Sequence, residues 1–508
     1  MRASGSGPSL KGRFAAAIAL TIGFYALALT MAGGLLAVAI LPWALGGGGN
    51  LWVTLTGLVL GVSILIAIFP RRDRFHPPGV RLTDAEQPRL MRLIDEETRA
   101  CGERAPDEVY ATLEVNAAVL EAGRRRRVMI VGLPLLQLVT ERGLRGVVAH
   151  EFGHYAGGDT RLGPWIYRTR EAIVRTVTHL SDDGGEEGWA QRAVRLPFIW
   201  YGKAFLRITN AISRRQEFAA DALAAQRAGR DVHVETLRRI HAYAPAFDAY
   251  WMNEVVPVLD AGRRPPIGEG FTAFIHSNAV ERAATEHLER ELTEVVTDPY
   301  DSHPSLAERV AAVQDCPAGA PDDSPPADEL LHDPVALETA QAAFLFGDEA
   351  AAKLRQVDWD AVGGEVYLER ARGLVSAHGE LLGSATAGRL DTLVGDIGRL
   401  AGRLQQREPD LPVEQATDFA AALIASGLLV ALEGDGWSVE APPGQPVICR
   451  RGDESVAPYV VVAELREGSV SVEAWRERAA ALGVGELVLG AGADADAGAD
   501  AGAVVTRG

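Results

Sequence analysis

His150-Glu151-Phe152-Gly153-His154 is the stretch that decides how this chain is read. On a helix, residues four apart share a face, so His150 and His154 can present two imidazole nitrogens to one ion. Glu151 lies one position round from His150, close enough to hold a water on that ion. A zinc-bound water has its pKa lowered toward about 7, and a carboxylate can take its proton as it attacks a carbonyl. The pattern alone is not decisive, because a solvated helix can carry both histidines idly. A catalytic zinc needs a third protein ligand.

The candidate for that ligand is Ser213-Arg214-Arg215-Gln216-Glu217-Phe218-Ala219-Ala220-Asp221. Glu217 and Asp221 are again four apart, so both can face a neighbouring helix. Glu217 would meet the metal, and Asp221 would accept the ring N–H of one histidine and so fix its tautomer. Taken alone, the two residues read as an exposed acidic pair on an amphipathic helix. Beside a His-Glu-x-x-His helix the metal reading is the stronger one.

The environment of this centre is set by charge. The chain has 508 residues and a formal charge of −18. Residues 321–508 carry 14 basic and 32 acidic side chains, so they account for the whole of that value. Residues 1–75 are at +5 and residues 76–320 at −5. An acidic total excludes a general nucleic-acid binder, which needs concentrated Lys and Arg. It does not exclude a membrane. Residues 14–70 hold no Asp, Glu, Lys or Arg, and within them residues 14–41 and 51–69 are apolar runs around a turn at residues 46–50. A hydrocarbon core of about 30 Å needs about 20 helical residues, so each run is long enough to span. Both runs are too long for a signal-peptide core of about 7–15 residues. Trp43 and Trp52 flank the turn, where interfacial aromatics sit. Arg2, Lys11 and Arg13 precede the first run, and Arg71, Arg72 and Arg74 follow the second. The positive-inside rule then puts both flanks in the cytoplasm. The expected localisation is integral to the cell's inner or plasma membrane, with two spans and everything after Arg71 cytoplasmic. Three cysteines in 508 residues exclude a disulfide framework.

The fold expected is mainly α (α+β). Residues 1–75 form a tail and transmembrane hairpin, and residues 76–316 a zincin-like metalloprotease domain with a small β-sheet. Residues 317–334, rich in Pro, Ala and Asp, read as a linker. Residues 335–489 read as an acidic helical and α/β domain, and residues 490–508 as a disordered Ala/Gly/Asp tail. Short β-branched runs at 109–113 and 127–131 read as strands, with a hairpin-like connection at 121–123. Helices are expected over 84–102, 133–139, 143–155, 162–180 and 190–228. Within the last, Leu196-Pro197-Phe198-Ile199-Trp200-Tyr201 is an aromatic patch that either grazes a membrane interface or packs in a core.

At this point the chain resembles the HtpX-like and CAAX prenyl endopeptidase group of integral-membrane zinc metalloproteases, the gluzincins. His150 to His154, extended through Ala156-Gly157-Gly158-Asp159, resembles that family's zinc helix. Ser213-Arg214 with Glu217, Phe218, Ala220 and Asp221 resembles its third-ligand motif. Val115-Asn116-Ala117-Ala118 lies where the family has an Asn-Ala edge strand that lines substrate. His303-Pro304, followed by Arg309, resembles its late His-Pro…Arg element. The resemblance implies one Zn²⁺ held by His150, His154 and Glu217, with Glu151 as general base. It implies His303 and Arg309 as stabilisers of the oxyanion, Asn116 and Ala117 as substrate contacts, and Asp221 as a support to the ligands. It covers roughly residues 10–315. Arg168, Arg170, Arg175, Arg192 and Arg195 interrupt the region where larger members have further spans, so a chamber enclosed within the membrane is not expected.

The function read from these residues is a membrane-anchored zinc endopeptidase acting on protein or peptide substrates in contact with the lipid bilayer. Membrane-protein quality control is the role the family suggests. Two other readings stand beside it. One is a non-catalytic zinc-bearing membrane scaffold that recruits partners through its acidic C-terminal domain, for which Glu151 would be superfluous. The other is a membrane sensor whose histidines are incidental. His179, His233, His241, His276, His287, His332 and His378 have no ligand-spaced partner and read as structural or solvated. Cys101, Cys316 and Cys449 lack a local thiol-protease signature. The oligomeric state has no sequence signal.

Overall fold

The computed structural model describes residues 10–69, 75–122, 126–156, 163–179, 189–294, 297–298, 301 and 303–490. It is mainly helical with small sheets, the α+β class expected. The elements that build the site are α1 (Leu10–Ala44), α2 (Leu51–Ile68), β1 (Val80–Leu82), α3 (Pro88–Ala100), β2 (Glu108–Thr112), β3 (Ala117–Ala122), β4 (Arg126–Gly132), α4 (Leu133–Leu138), α5 (Glu141–Ala156), α6 (Gly163–His179), α7 (Trp189–Ala228) and α8 (Arg230–Tyr250).

The uncharged N-terminal run folds as a helical hairpin. Asn50 caps α2, its side chain accepting from the N–H groups of Trp52 at 3.0 Å and Val53 at 3.3 Å. The Trp43 indole donates to Thr54 Oγ1 at 2.7 Å across the turn. Gly57 and Gly61, one turn apart on α2, let the two helices meet. A Cβ on Gly57 would lie 2.9 Å from the Leu35 carbonyl oxygen, and one on Gly61 would lie 2.9 Å from Leu36 Cγ. Small residues four apart serve close helix packing where no hydrophobic drive exists.

Further helices join this hairpin. Phe24, Ala28 and Ala32 of α1 and Leu60 and Ile64 of α2 share a core with Ala172 and Ile173 of α6 and Phe198 and Phe205 of α7. Phe24 and Phe198 meet edge-to-face with centroids 6.2 Å apart. The Tyr201 hydroxyl donates to the Leu20 carbonyl at 2.6 Å. Phe198 and Tyr201 of the aromatic patch therefore pack inward, whereas Trp200 is 73% exposed. Among the described residues three helical stretches are long and apolar enough to cross a membrane: Ala15–Ala44, Leu51–Ile68 and Val413–Gly434. The third has Leu423, Ile424, Leu428, Leu429 and Leu432 fully buried in a protein core. The Lys11 and Arg13 side chains and residues 2, 71, 72 and 74, on which the orientation was read, lie outside the described residues, as do residues 491–508 of the expected tail.

The four-stranded sheet has the order β1-β2-β4-β3, with β2 and β4 parallel and the other pairs antiparallel. The sequence showed β2 and β4, but β3 lies between them in the chain and is the strand that hairpins with β4. Its first residues, Ala117 and Ala118, carry little strand propensity, so the pairing with β4 supplies what local preference does not. The outcome is that β3 is an edge. Helix α5 packs beside it and against α7. A Cβ on Gly146 would sit 3.1 Å from Ala228 Cβ, and one on Gly153 would sit 3.0 Å from Ala220 Cα. Glu97 of α3, almost wholly buried, is paired with Arg145 of α5 at 3.3 Å and Arg227 of α7 at 3.0 Å. A buried carboxylate without such partners would be costly, so this junction also holds the three helices in register.

The chain divides into two compact units, Met1–Ala244 with Thr285–Pro334, and Pro245–Ala284 with Val335–Gly508. This grouping cuts across the boundaries read from the sequence. In the first unit, residues 317–334 are laid on α4 and α5: Glu141 N–H donates to the Pro325 carbonyl at 2.8 Å, and Thr140 Oγ1 bonds Asp322 at 2.6 Å. In the second unit, helix Val413–Gly434 is the spine of a core with Trp437 and Trp475. Strands Ser438–Glu440, Ile448–Arg451 and Glu454–Val456 form an antiparallel sheet. The β-branched run at residues 459–465 lies within the helix Pro458–Glu467. Pro458 at its first turn favours that start, and burial of Val461 and Val462 overrides the β-branched preference.

The hairpin packing yields a direct test. Gly61→Leu forces a branched side chain into Leu36 and should cost about 1–3 kcal/mol, as overpacking does. A lowered thermal midpoint of the detergent-solubilised protein checks it, with Gly34→Leu, on the same hairpin in open surroundings and ordinary helical backbone, as comparison.

Candidate metal centre

Helix α5 carries one apolar and one chemical face. Leu144, Val148, Ala149 and Phe152 are buried with almost no exposure, while His150 and His154 turn toward α7. The facing stretch of α7 buries Glu217, Ala220, Asp221, Ala224, Ala225 and Ala228. Those positions recur every three to four residues, and four of them are alanines. With Gly146 and Gly153 opposite, the two helices approach closely enough for short carboxylates on α7 to reach imidazoles on α5.

The geometry that results is a three-ligand cradle. One ligand atom each from His150, His154 and Glu217 lie within 4.8 Å of one another. His150 Nε2 is 3.5 Å from Glu217 Oε2, and His154 Nε2 is 3.8 Å from Glu217 Oε1. The edge of a tetrahedron with ligands at about 2.1 Å is about 3.4 Å, so these spacings fit a tightly bound ion. Glu217 Oε2 is buried and has no hydrogen-bond partner among the described residues. A buried anionic oxygen without a donor is expensive unless a cation meets it. His150 Nδ1 lies 3.0 Å from Asp221 Oδ1, which leaves Nε2 to face the cradle.

The titration of these groups follows from their setting. Burial pushes the Glu151 carboxyl up to about 7. Burial disfavours a charged His150 ring, yet Asp221 and Glu217 outweigh it and carry that ring to about 9. His154, buried and beside His150, falls to about 4. Burial opposes ionisation of Glu217, but His150 and His303 hold its carboxyl well below the usual range.

Residues 84–316 match the model of peptidase family M48. A protease HtpX homolog of Bacillus pumilus is 27% identical over 230 residues, which cover 41% of this chain and 69% of that protein. Protease HtpX of Glaesserella parasuis is 28% identical over 30% of this chain and 58% of its own length. Protease HtpX of Mannheimia succiniciproducens is 25% identical over 38% and 78%. The chain carries an HtpX-like peptidase family M48 domain. With its long apolar helices, that makes it a membrane metalloprotease.

Around the cradle the M48 domain places the other residues singled out in the sequence. His303 Nδ1 is 3.1 Å from Glu217 Oε1, with its side chain 65% exposed at the rim. The bond to Glu217 raises its pKa. Arg214 of α7 donates to the Asp301 carbonyl at 2.8 Å, and Asp301 accepts the His303 N–H at 3.0 Å, so the loop bearing His303 is tied to the helix bearing Glu217. Arg309 is held by Asp221. Its Nε and Nη2 donate to the two oxygens of Asp221 at 2.9 and 2.7 Å, and its guanidinium is 3.9 Å from Glu217. Asn116 is exposed at the start of β3, and Ala117 begins the edge strand itself. Asp159 lies outside the described residues.

One residue was missed. His233 of α8 is buried, and its Nε2 lies 3.2 Å from Asp221 Oδ1. It has no ligand-spaced neighbour in the chain, and only the fold of α8 against α5 and α7 brings it to the site. A polar residue at a buried helix position is its one sequence signal, and that signal is weak.

Asp221 thus faces Arg309, His150 and His233 together. Asp221→Ala is expected to weaken metal retention by about 10–100-fold, the range for groups that orient ligands. His233→Ala should weaken it less. Competition against a graded series of chelators measures both.

Proposed function

We propose that the chain is a zinc-dependent endopeptidase anchored in the membrane by α1 and α2, with its M48 domain on the cytoplasmic side. The observation that carries this reading is the convergence of His150, His154 and Glu217 with the half-buried Glu151 beside them. Two imidazoles and a carboxylate are the donor set of a catalytic zinc, which keeps a position open. Zinc bound there would supply a water of lowered pKa and polarise a peptide carbonyl.

The chain's own groups divide the remaining work. Glu151, with its affinity for a proton raised to about 7, takes a proton at its carboxylate and returns it to the leaving amine. His303 donates to a developing oxyanion, a role supported by its position at the rim 3.1 Å from Glu217. Arg309 acts through Asp221: it keeps that carboxylate charged and fixed, and Asp221 in turn holds the His150 ring. Edge strand β3, beginning at Ala117, offers main-chain groups to an extended substrate, with Asn116 at its mouth. A non-catalytic scaffold would have no use for Glu151 beside the cradle. Processing of membrane proteins is the role we assign, since the two long apolar helices hold the cradle to a bilayer.

Glu151→Gln should retain zinc at the wild-type stoichiometry and lose proteolysis of casein by on the order of 10²–10⁴-fold. Metal analysis of the purified full chain, paired with the cleavage assay, checks it. Equal proteolysis by wild type and variant would sink the assignment.

A further inference from the structure

Strand β3 has two kinds of backbone position. Gly132 N–H donates to the Asn116 carbonyl at 2.8 Å, so the Asn116 carbonyl points at β4. Alternation along the strand turns the main-chain groups of Ala118, Leu120 and Ala122 to β4 as well, and those of Ala117, Val119 and Glu121 outward. The outward groups are the ones a substrate strand could pair with.

At Val119 the carbonyl is already taken: it accepts the Tyr155 hydroxyl at 2.9 Å. Tyr155 is one residue beyond His154, on the last turn of α5. It is held there firmly. The Arg127 guanidinium lies over its ring at 4.5 Å, and that guanidinium is itself fixed by Glu103 at 3.1 Å and the Arg104 carbonyl at 2.7 Å.

We propose that Tyr155 closes the substrate edge at Val119 and so limits the length of main-chain pairing along β3. This rests on the proteolytic reading above and names a specificity-determining residue within it. A chain laid along β3 exchanges hydrogen bonds with Ala117, but two residues on it meets a carbonyl that already holds a hydroxyl. Pairing stops after one position. On that side of the scissile bond the enzyme therefore selects segments that are extended only briefly before leaving the strand, such as chain ends and turns, over long β-strands.

The test uses the full chain in detergent and quenched-fluorescent peptides nested around one casein bond that the wild type cleaves, lengthened two residues at a time on each side. For wild type, KM should stop falling once the peptide covers Ala117. For Tyr155→Phe, which keeps the ring and its contact with Arg127, the next two residues on one side should lower KM about 3–10-fold, the worth of one hydrogen bond. The thermal midpoint and metal content report folding and the cradle separately. A wild-type KM that keeps falling with length overturns the proposal, as does a Tyr155→Phe effect that is the same at every length. A zinc-loaded wild type that cleaves none of the peptides overturns the proteolytic reading, and this inference with it.

Discussion

One buried carboxylate holds the centre together. Asp221 has no solvent exposure, and it meets two nitrogens of Arg309, the Nδ1 of His150 and the Nε2 of His233. A charge removed from water is tolerated only where such partners surround it. Because the partners come from α5, α8 and helix Leu306–Ala312, satisfying Asp221 brings all three to α7. The same contact leaves His150 Nε2 to face Glu217. The tautomer of one ligand, the position of the second carboxylate and the assembly of four helices are thus one electrostatic condition.

Close packing is the second condition. Two glycines on α5 and four alanines on α7 remove side-chain bulk where the helices touch. Short side chains such as Asp and Glu reach across only because that spacing is small. The hairpin uses the same device with Gly57 and Gly61, and α6 and the first half of α7 then pack on its apolar face. Helix α7 links the two regions: its first half joins the hairpin and its second half carries Glu217. The hairpin core and the metal cradle are thus joined by a single 40-residue helix.

A large part of this was legible in the residues. His150, Glu151 and His154 announce themselves by their spacing, and Glu217 with Asp221 repeats that spacing on a second helix. The membrane hairpin is legible because the absence of charge over residues 14–70 is a local property of the chain. The edge strand was harder to see, since alanines at its start give no propensity signal and its pairing with β4 is supplied from outside. His233 was invisible because its partner stands on another helix. Arg309 was noticed, but its partner was not: nothing local distinguishes an arginine that meets substrate from one that braces a carboxylate.

The sequence by itself therefore determined the ligand types, the helices that bear them and the apolar hairpin, because periodicity and composition act over a few neighbouring residues. Tertiary structure alone decided which groups share Asp221, and that Tyr155 occupies the Val119 carbonyl on the edge strand. The Asp221 and Tyr155 contacts join residues 12 to 88 positions apart. No local preference carries that information; the packing of the helices does.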